Sequence, residues 1–172
     1  MRSRGISRAL QYTIAPTEER HLSPIYEVIG AVARERRFLT FTQLPPRDES
    51  LAFYRSILSR NLPYFVALAD QKVVGWVDVT SLIGQTRAHI GALGIGLLAE
   101  ARGKGLGMQL MRAAIEKAWA RGFTRIELTV RDDNLNAQAL YKRLGFEFEG
   151  RFRRGSVVDG QAHDVLAMAL LR

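Results

Sequence analysis

Between Lys104 and Arg121 the apolar residues Gly107, Leu110, Met111, Ala114, Ile115 and Ala118 fall on one stripe. That spacing predicts an amphipathic helix, and Gly122 stands where such a helix stops. Arg125 to Arg131 has the other period. Ile126, Leu128 and Val130 alternate with Glu127 and Thr129, which predicts a strand with one buried face. The same test, run along the chain, predicts strands over Tyr64 to Ala69, Val73 to Thr80 and His89 to Leu97. The first two are joined by a tight turn at Asp70-Gln71 and read as a hairpin. Two further strands, Glu147 to Val157 and Gln161 to Leu170, meet at Asp159-Gly160. A short helix from Asn134 to Leu144 ends at Gly145.

Upstream, Gln11 to Ala15 reads as a short strand. A helix follows from Thr17-Glu18-Glu19 to about Arg36, with Pro24 in its early turns. After the turn Leu44-Pro45-Pro46, Asp48 is expected to cap a second helix reaching Arg60, with Leu51, Tyr54 and Leu58 at helical spacing. The order is β-α-α-β-β-β-α-β-α-β-β. It predicts an α/β layer fold with a mixed sheet and not a regular doubly wound one.

Composition narrows the class. The 172 residues suit one domain, expected over 11–172, and 47% apolar residues suffice for a sizeable core. Residues 1–10 carry Arg2, Arg4 and Arg8 and read as a basic tail. A net charge of +8 favours anionic partners, such as a phosphorylated cofactor or an acidic substrate. Nucleic acid is disfavoured, because no aromatic-and-basic reading motif accompanies the charge. Cysteine is absent, which excludes a disulfide framework, a zinc-thiolate site and a cysteine nucleophile. No metal site is expected. No apolar run is long enough to span a membrane, so the protein is expected to be soluble and cytoplasmic.

The chemistry enters at Arg102-Gly103-Lys104-Gly105-Leu106-Gly107, between a predicted strand and a predicted helix. Glycine lets backbone approach a ligand, and the first helical turn offers unpaired N–H groups at the positive end of its dipole. Together they suit a phosphate or pyrophosphate. The dinucleotide pattern G-x-G-x-x-G fails, since Met108 or Leu110 stands where the last glycine is needed. The P-loop fails because Gly105, not Ser or Thr, follows Lys104.

What fits is R-x-x-G-x-G, at Arg102, Gly105 and Gly107, together with N-x-x-A-x-x-L-Y-x-x-x-G-F from Asn134 through Tyr141 to Phe146. This pair of blocks resembles the GNAT superfamily of N-acetyltransferases, over about Val66 to Leu170. The resemblance implies a mostly antiparallel sheet of about seven strands with about four helices, splayed between strands four and five. It implies acetyl-CoA as donor, with its pantetheine arm paired to the backbone of Ile95, Gly96 and Leu97. The pyrophosphate would lie on Arg102, Gly103, Lys104, Gly105, Leu106 and Gly107. Asn134 and Asn136 are candidates to bond the arm, and either could instead be a helix cap. Tyr141 matches the family's general acid, and a phenol is protonated at neutral pH.

The general base is open. Glu127, on the strand next to the splay, is placed first and His89 second, with Glu35 and Asp78 as further possibilities. The acceptor is expected to be a small primary amine, such as an amino acid or an amino-acid-like xenobiotic. The basic residues Arg36, Arg37, Arg151, Arg153 and Arg154 could pair with its carboxylate. Alternatives are acetylation of a protein N-terminus or lysine, or a non-catalytic acyl-CoA sensor. Enzymes of this kind are often dimers.

Overall fold

A computed structural model describes residues 10–172. The expected basic tail, apart from Leu10, lies outside them. Eleven helices and strands follow in the predicted order: β1 (Tyr12–Pro16), α1 (Glu19–Arg34), α2 (Arg47–Ser59), β2 (Tyr64–Ala69), β3 (Lys72–Ser81), β4 (Ile90–Leu97), α3 (Leu106–Ala120), β5 (Arg125–Arg131), α4 (Leu135–Arg143), β6 (Glu147–Val158) and β7 (Gln161–Leu171). Two short 3-10 turns, at Gln85–Arg87 and Ala99–Ala101, flank β4.

The strands form one seven-stranded sheet in the order β1-β2-β3-β4-β5-β7-β6. Only β4 and β5 run parallel, and α3 makes the crossover between them. Both hairpin turns have the paired positive φ angles that match strand twist: +44° and +71° at Asp70 and Gln71, +52° and +76° at Asp159 and Gly160. Helices cover both faces. On β3, Trp76 and Asp78 face Tyr54 of α2 and Ile29 of α1 across a cleft. Val77 and Val79 turn the other way, into the layer with Leu110, Met111 and Ala114 of α3. These buried side chains belong to one continuous core that also takes in Leu22 and Ile25 of α1 and Ile126 and Met168 of the far strands.

Some boundaries differ from the periodicity. Helix α1 stops two residues short of Arg36, because Arg36 takes φ +56° and turns the chain. Asp48 does not cap α2. Pro46 holds that position, and Asp48 and Glu49 sit in the first turn, where their charge complements the helix dipole. His89 lies one residue before β4 and is exposed. No helix among the described residues is long and apolar enough to cross a membrane.

Candidate active site

Strands β4 and β5 are in register at only three positions: Ile90 with Arg125, Gly91 with Ile126, and Ala92 with Glu127. On its other side β4 pairs with β3 along its whole length, from Gly91 to Leu97. The ladder fixes which backbone groups point where. Leu98 N–H bonds Val74 O at 2.8 Å, and Leu82 N–H bonds Ile90 O at 3.2 Å. In an antiparallel ladder bonded pairs alternate, so the even-numbered residues of β4 turn toward β3 and the odd ones toward β5. Past Ala92, the backbone groups of Ile95 and Leu97 therefore face an opening between the strands.

This corrects one expectation. Gly96 cannot offer its backbone to that opening, because its N–H and C=O belong to the β3 side. Its own constraint is different: a Cβ there would come within 2.3 Å of the Trp76 ring. Glycine at 96 lets Trp76 lie flat across β4.

The loop after β4 supplies the second feature. Gly103 and Gly105 take φ +72° and +76°, and a Cβ at either would meet nothing within 4 Å. They are needed for conformation and leave open space above the loop. The first N–H of this turn to find a backbone carbonyl is that of Gln109, on Gly105 O at 3.2 Å. The preceding amides, Gly103 to Met108, find none among the described residues. Lys104 projects near them, its ammonium 5.9 Å from the Tyr12 ring. Gly107 has a separate task. A Cβ there would stand 3.2 Å from Leu140, so its smallness lets α3 approach α4.

Arg102 is engaged elsewhere. Its guanidinium donates to Leu97 O at 3.0 and 2.8 Å, and to both oxygens of Glu35 at 2.8 and 2.5 Å. It also lies 4.7 Å over the Phe38 ring. Its charge is thus answered by Glu35, and it ties the end of β4 to the segment after α1. Glu35 is committed by the same pair.

Tyr141, on α4, is 7% exposed and packs at 5.9 Å against Phe146. Burial pushes its phenol up to about 12. The hydroxyl opens onto a cleft of about 550 Å³ that also receives Asp78, Gly94, Ile95, Leu128 and Thr129. Asp78 lies across Gly94, where a Cβ would be 3.3 Å from Oδ1. Burial raises this carboxyl from the usual range to about 7, opposed in part by the Trp76 side chain. Asp78 and Tyr141 thus face the same cavity beside the opening in the sheet.

The other candidate bases are not in this cavity. Glu127 shares the face of Asp78 but sits where β4 and β5 are still paired. Its carboxylate is held by Arg125 at 3.2 Å and Arg87 at 3.6 Å. Exposed His89 sits at the same closed end, its carbonyl accepting from Thr124 N–H at 3.0 Å. Asn134 caps α4, its Oδ1 accepting from Ala137 N–H at 3.2 Å. Asn136 is an exposed residue within α4.

The arginines expected around the acceptor do not line the cleft. Arg36 makes a bidentate pair with Asp159, at 2.9 and 2.6 Å, and Arg151 pairs with Asp164 at 3.0 Å. Arg37 stands 5.5 Å from the Phe38 ring, and Arg154 offers its backbone N–H to Asp164. Asp132, Asp133 and His163 cluster closely enough to suggest a metal, but Arg131 donates to Asp133 and Arg151 stands 3.9 Å from Asp132, so each carboxylate already faces a cation.

Over residues 29–146 the sequence matches the model of the acetyltransferase (GNAT) family. The chain is similar to an L-amino acid N-acetyltransferase of Escherichia coli K12, 30% identical over 150 residues, covering 86% of this chain and 92% of that protein. It is similar in structure to a GNAT-family acetyltransferase from Streptococcus pneumoniae, with 29% identity and a TM-score of 0.87, covering 94% of this chain and 100% of the other. An acetyltransferase from Salmonella typhimurium, solved with acetyl-CoA, shares the fold at 19% identity and a TM-score of 0.87, over 93% of each chain.

Proposed function

The chain belongs to the acetyltransferase (GNAT) family and is an acetyl-CoA-dependent N-acetyltransferase; from that premise we propose that Asp78 and Tyr141 serve its two proton transfers, on a small primary amine of amino-acid size. The observation that carries this reading is their common cavity beside the open edge of β4. The size class is supported by the relative of E. coli that acts on L-amino acids.

The residues present fit a coenzyme A thioester. The backbone of Ile95 and the N–H of Leu97, whose carbonyl is taken by Arg102, form a strand edge to which the amides of a pantetheine arm can pair, and the unpaired N–H groups from Gly103 to Met108 suit a pyrophosphate. Lys104 adds charge there. The acceptor amine arrives as an ammonium and gives one proton to Asp78, directly or through one water. Its lone pair then forms the C–N bond at the thioester carbonyl, whose π electrons pass to oxygen. A backbone N–H on the open edge of β4 stabilises that oxyanion. As the C–O double bond reforms the C–S bond breaks, and Tyr141 O–H protonates the leaving sulfur. The tyrosinate recovers its proton from the amide nitrogen. Asp78 releases the first proton to solvent, so one proton is produced per turnover.

The test is the pH profile of kcat/KM, followed by thiol release. Wild type rises through about pH 7, where Asp78 loses its proton. Asp78→Asn removes that limb and lowers kcat/KM by roughly 10²-fold or more, with acetyl-CoA affinity retained. An unchanged profile in Asp78→Asn refutes the assignment.

A further inference from the structure

The acceptor end of the cleft is built mainly of rings. Phe38 and Phe41 come from the α1–α2 connection, Phe53 and Tyr54 from α2, and Trp76 from β3. They share one cavity with Asp78 and Tyr141. The strand period accounts for the ring nearest the carboxyl. Trp76 precedes Asp78 by two residues, so both side chains leave β3 on the same face.

This wall is held in place at several points. Arg102, tied to Glu35 and to Leu97 O, lies 4.7 Å over the Phe38 ring. At the other end of the connection, Pro45 O accepts from the Tyr26 hydroxyl at 3.2 Å and from Ser50 Oγ at 3.4 Å. Leu44, one residue earlier, packs on Gly30 of α1, where a Cβ would come within 3.0 Å. On α2 the rings of Phe53 and Tyr54 meet edge to face at 6.0 Å. Tyr54 and Trp76 are buried. A surface fixed before its ligand arrives loses little freedom on binding, so its shape and polarity can discriminate.

The position of the nitrogen decides what meets these rings. The amine sits between Asp78 and the open edge of β4, where the thioester lies. The rest of the acceptor must then fill the part of the cleft walled by α2 and the α1–α2 connection. An apolar side chain placed there removes carbon surface from water on both partners. A polar side chain of the same size exchanges water for contact with carbon rings and loses by it.

Resting on the small-amine reading above, we propose that Phe38, Phe41 and Phe53 form a side-chain subsite, and that the acceptor is an amino acid with an aromatic or long aliphatic side chain. The three phenylalanines set specificity and take no part in proton transfer.

The experiment measures kcat/KM by thiol release at saturating acetyl-CoA, with phenylalanine, leucine, alanine and glutamine as acceptors. Phenylalanine and leucine are expected to exceed alanine and glutamine by about tenfold or more. Phe53 is 52% and Phe41 41% exposed, on different elements, so either can be truncated with little loss of core packing. Phe53→Ala and Phe41→Ala are each expected to lower the phenylalanine-to-alanine ratio several-fold, and Phe53→Leu to keep most of it. Thermal unfolding of the variants checks that the fold is kept. Alanine or glutamine turned over as well as phenylalanine by the wild type overturns this inference and leaves the small-amine reading standing. An unchanged phenylalanine-to-alanine ratio in both truncated variants also overturns it. Absence of turnover with all four amino acids, while acetyl-CoA still binds, overturns the amino-acid-size reading itself and this inference with it.

Discussion

At the scale of single residues, the site separates two acids by environment. Asp78 and Tyr141 are both raised by burial, to about 7 and about 12. The same physical cause leaves one poised to take a proton near neutrality and the other firmly protonated. Tyr141→Phe isolates the second role. The ring keeps its packing against Phe146, so stability should be nearly unchanged. Turnover should fall on the order of 10²-fold, with the dissociation constant for acetyl-CoA preserved. A variant as fast as wild type would show that sulfur leaves without help from the phenol. Tyr141 was legible because it stands inside a motif. Asp78 had only a local signal. On β3 it follows Val74 and Trp76 on one face, so the strand period turns a carboxylate toward a layer that should be apolar. Glu127 ranked above it because it sits beside the splay. Strand periodicity cannot tell how far the pairing of β4 and β5 extends, and that extent decides which carboxylate meets the cavity.

At the scale of elements, the segment between α1 and α2 is held at two points. Glu35 grips Arg102, whose guanidinium also takes the carbonyl of Leu97. One residue on, Arg36 grips Asp159 in the β6–β7 turn. Phe38, Leu39, Thr40 and Phe41, which line the cleft, follow directly. The Arg102 pair thus connects the donor strand to the acceptor wall. Glu35→Gln removes one charge from a bidentate, half-buried pair, a loss of about 1–2 kcal/mol of ordering. The KM for the amine should rise about tenfold, and the affinity for acetyl-CoA should stay within twofold. The reverse pattern, with donor affinity lost and acceptor KM intact, would return Arg102 to the pyrophosphate. The elements themselves were read well because their periods are clean: β2 and β5 have the expected bounds. The misplaced ends, at Arg36 and Asp48, lie where proline and a left-handed residue set the chain direction, which hydrophobic spacing does not report. The arginine partners were illegible for another reason. Arg36 and Asp159 are 123 residues apart, and a charge in sequence does not say what answers it.

At the scale of the whole molecule, the site is a place where function opposes stability. The fold keeps Asp78 against Trp76 although its charged form is poorly solvated there. Its folded pKa, about 7, lies above the unfolded value near 3.8. Between those values the folded state binds more protons than the unfolded state, so stability falls as pH rises through this window. Below it the group costs little, and above about 7 the whole penalty is present. Asp78→Asn removes the titration while keeping nearly the same shape. The variant should therefore melt several degrees higher than wild type at pH 8.5, since a domain of this size gains about 2–4 °C per kcal/mol. The difference should shrink toward pH 5. Thermal unfolding of both proteins across that range measures it directly. A constant difference at all pH values would mean that the gain comes from packing. A variant less stable at pH 8.5 would mean that the Asp78 charge is held by partners in the folded state, and its place as a base poised near neutrality would fall with it.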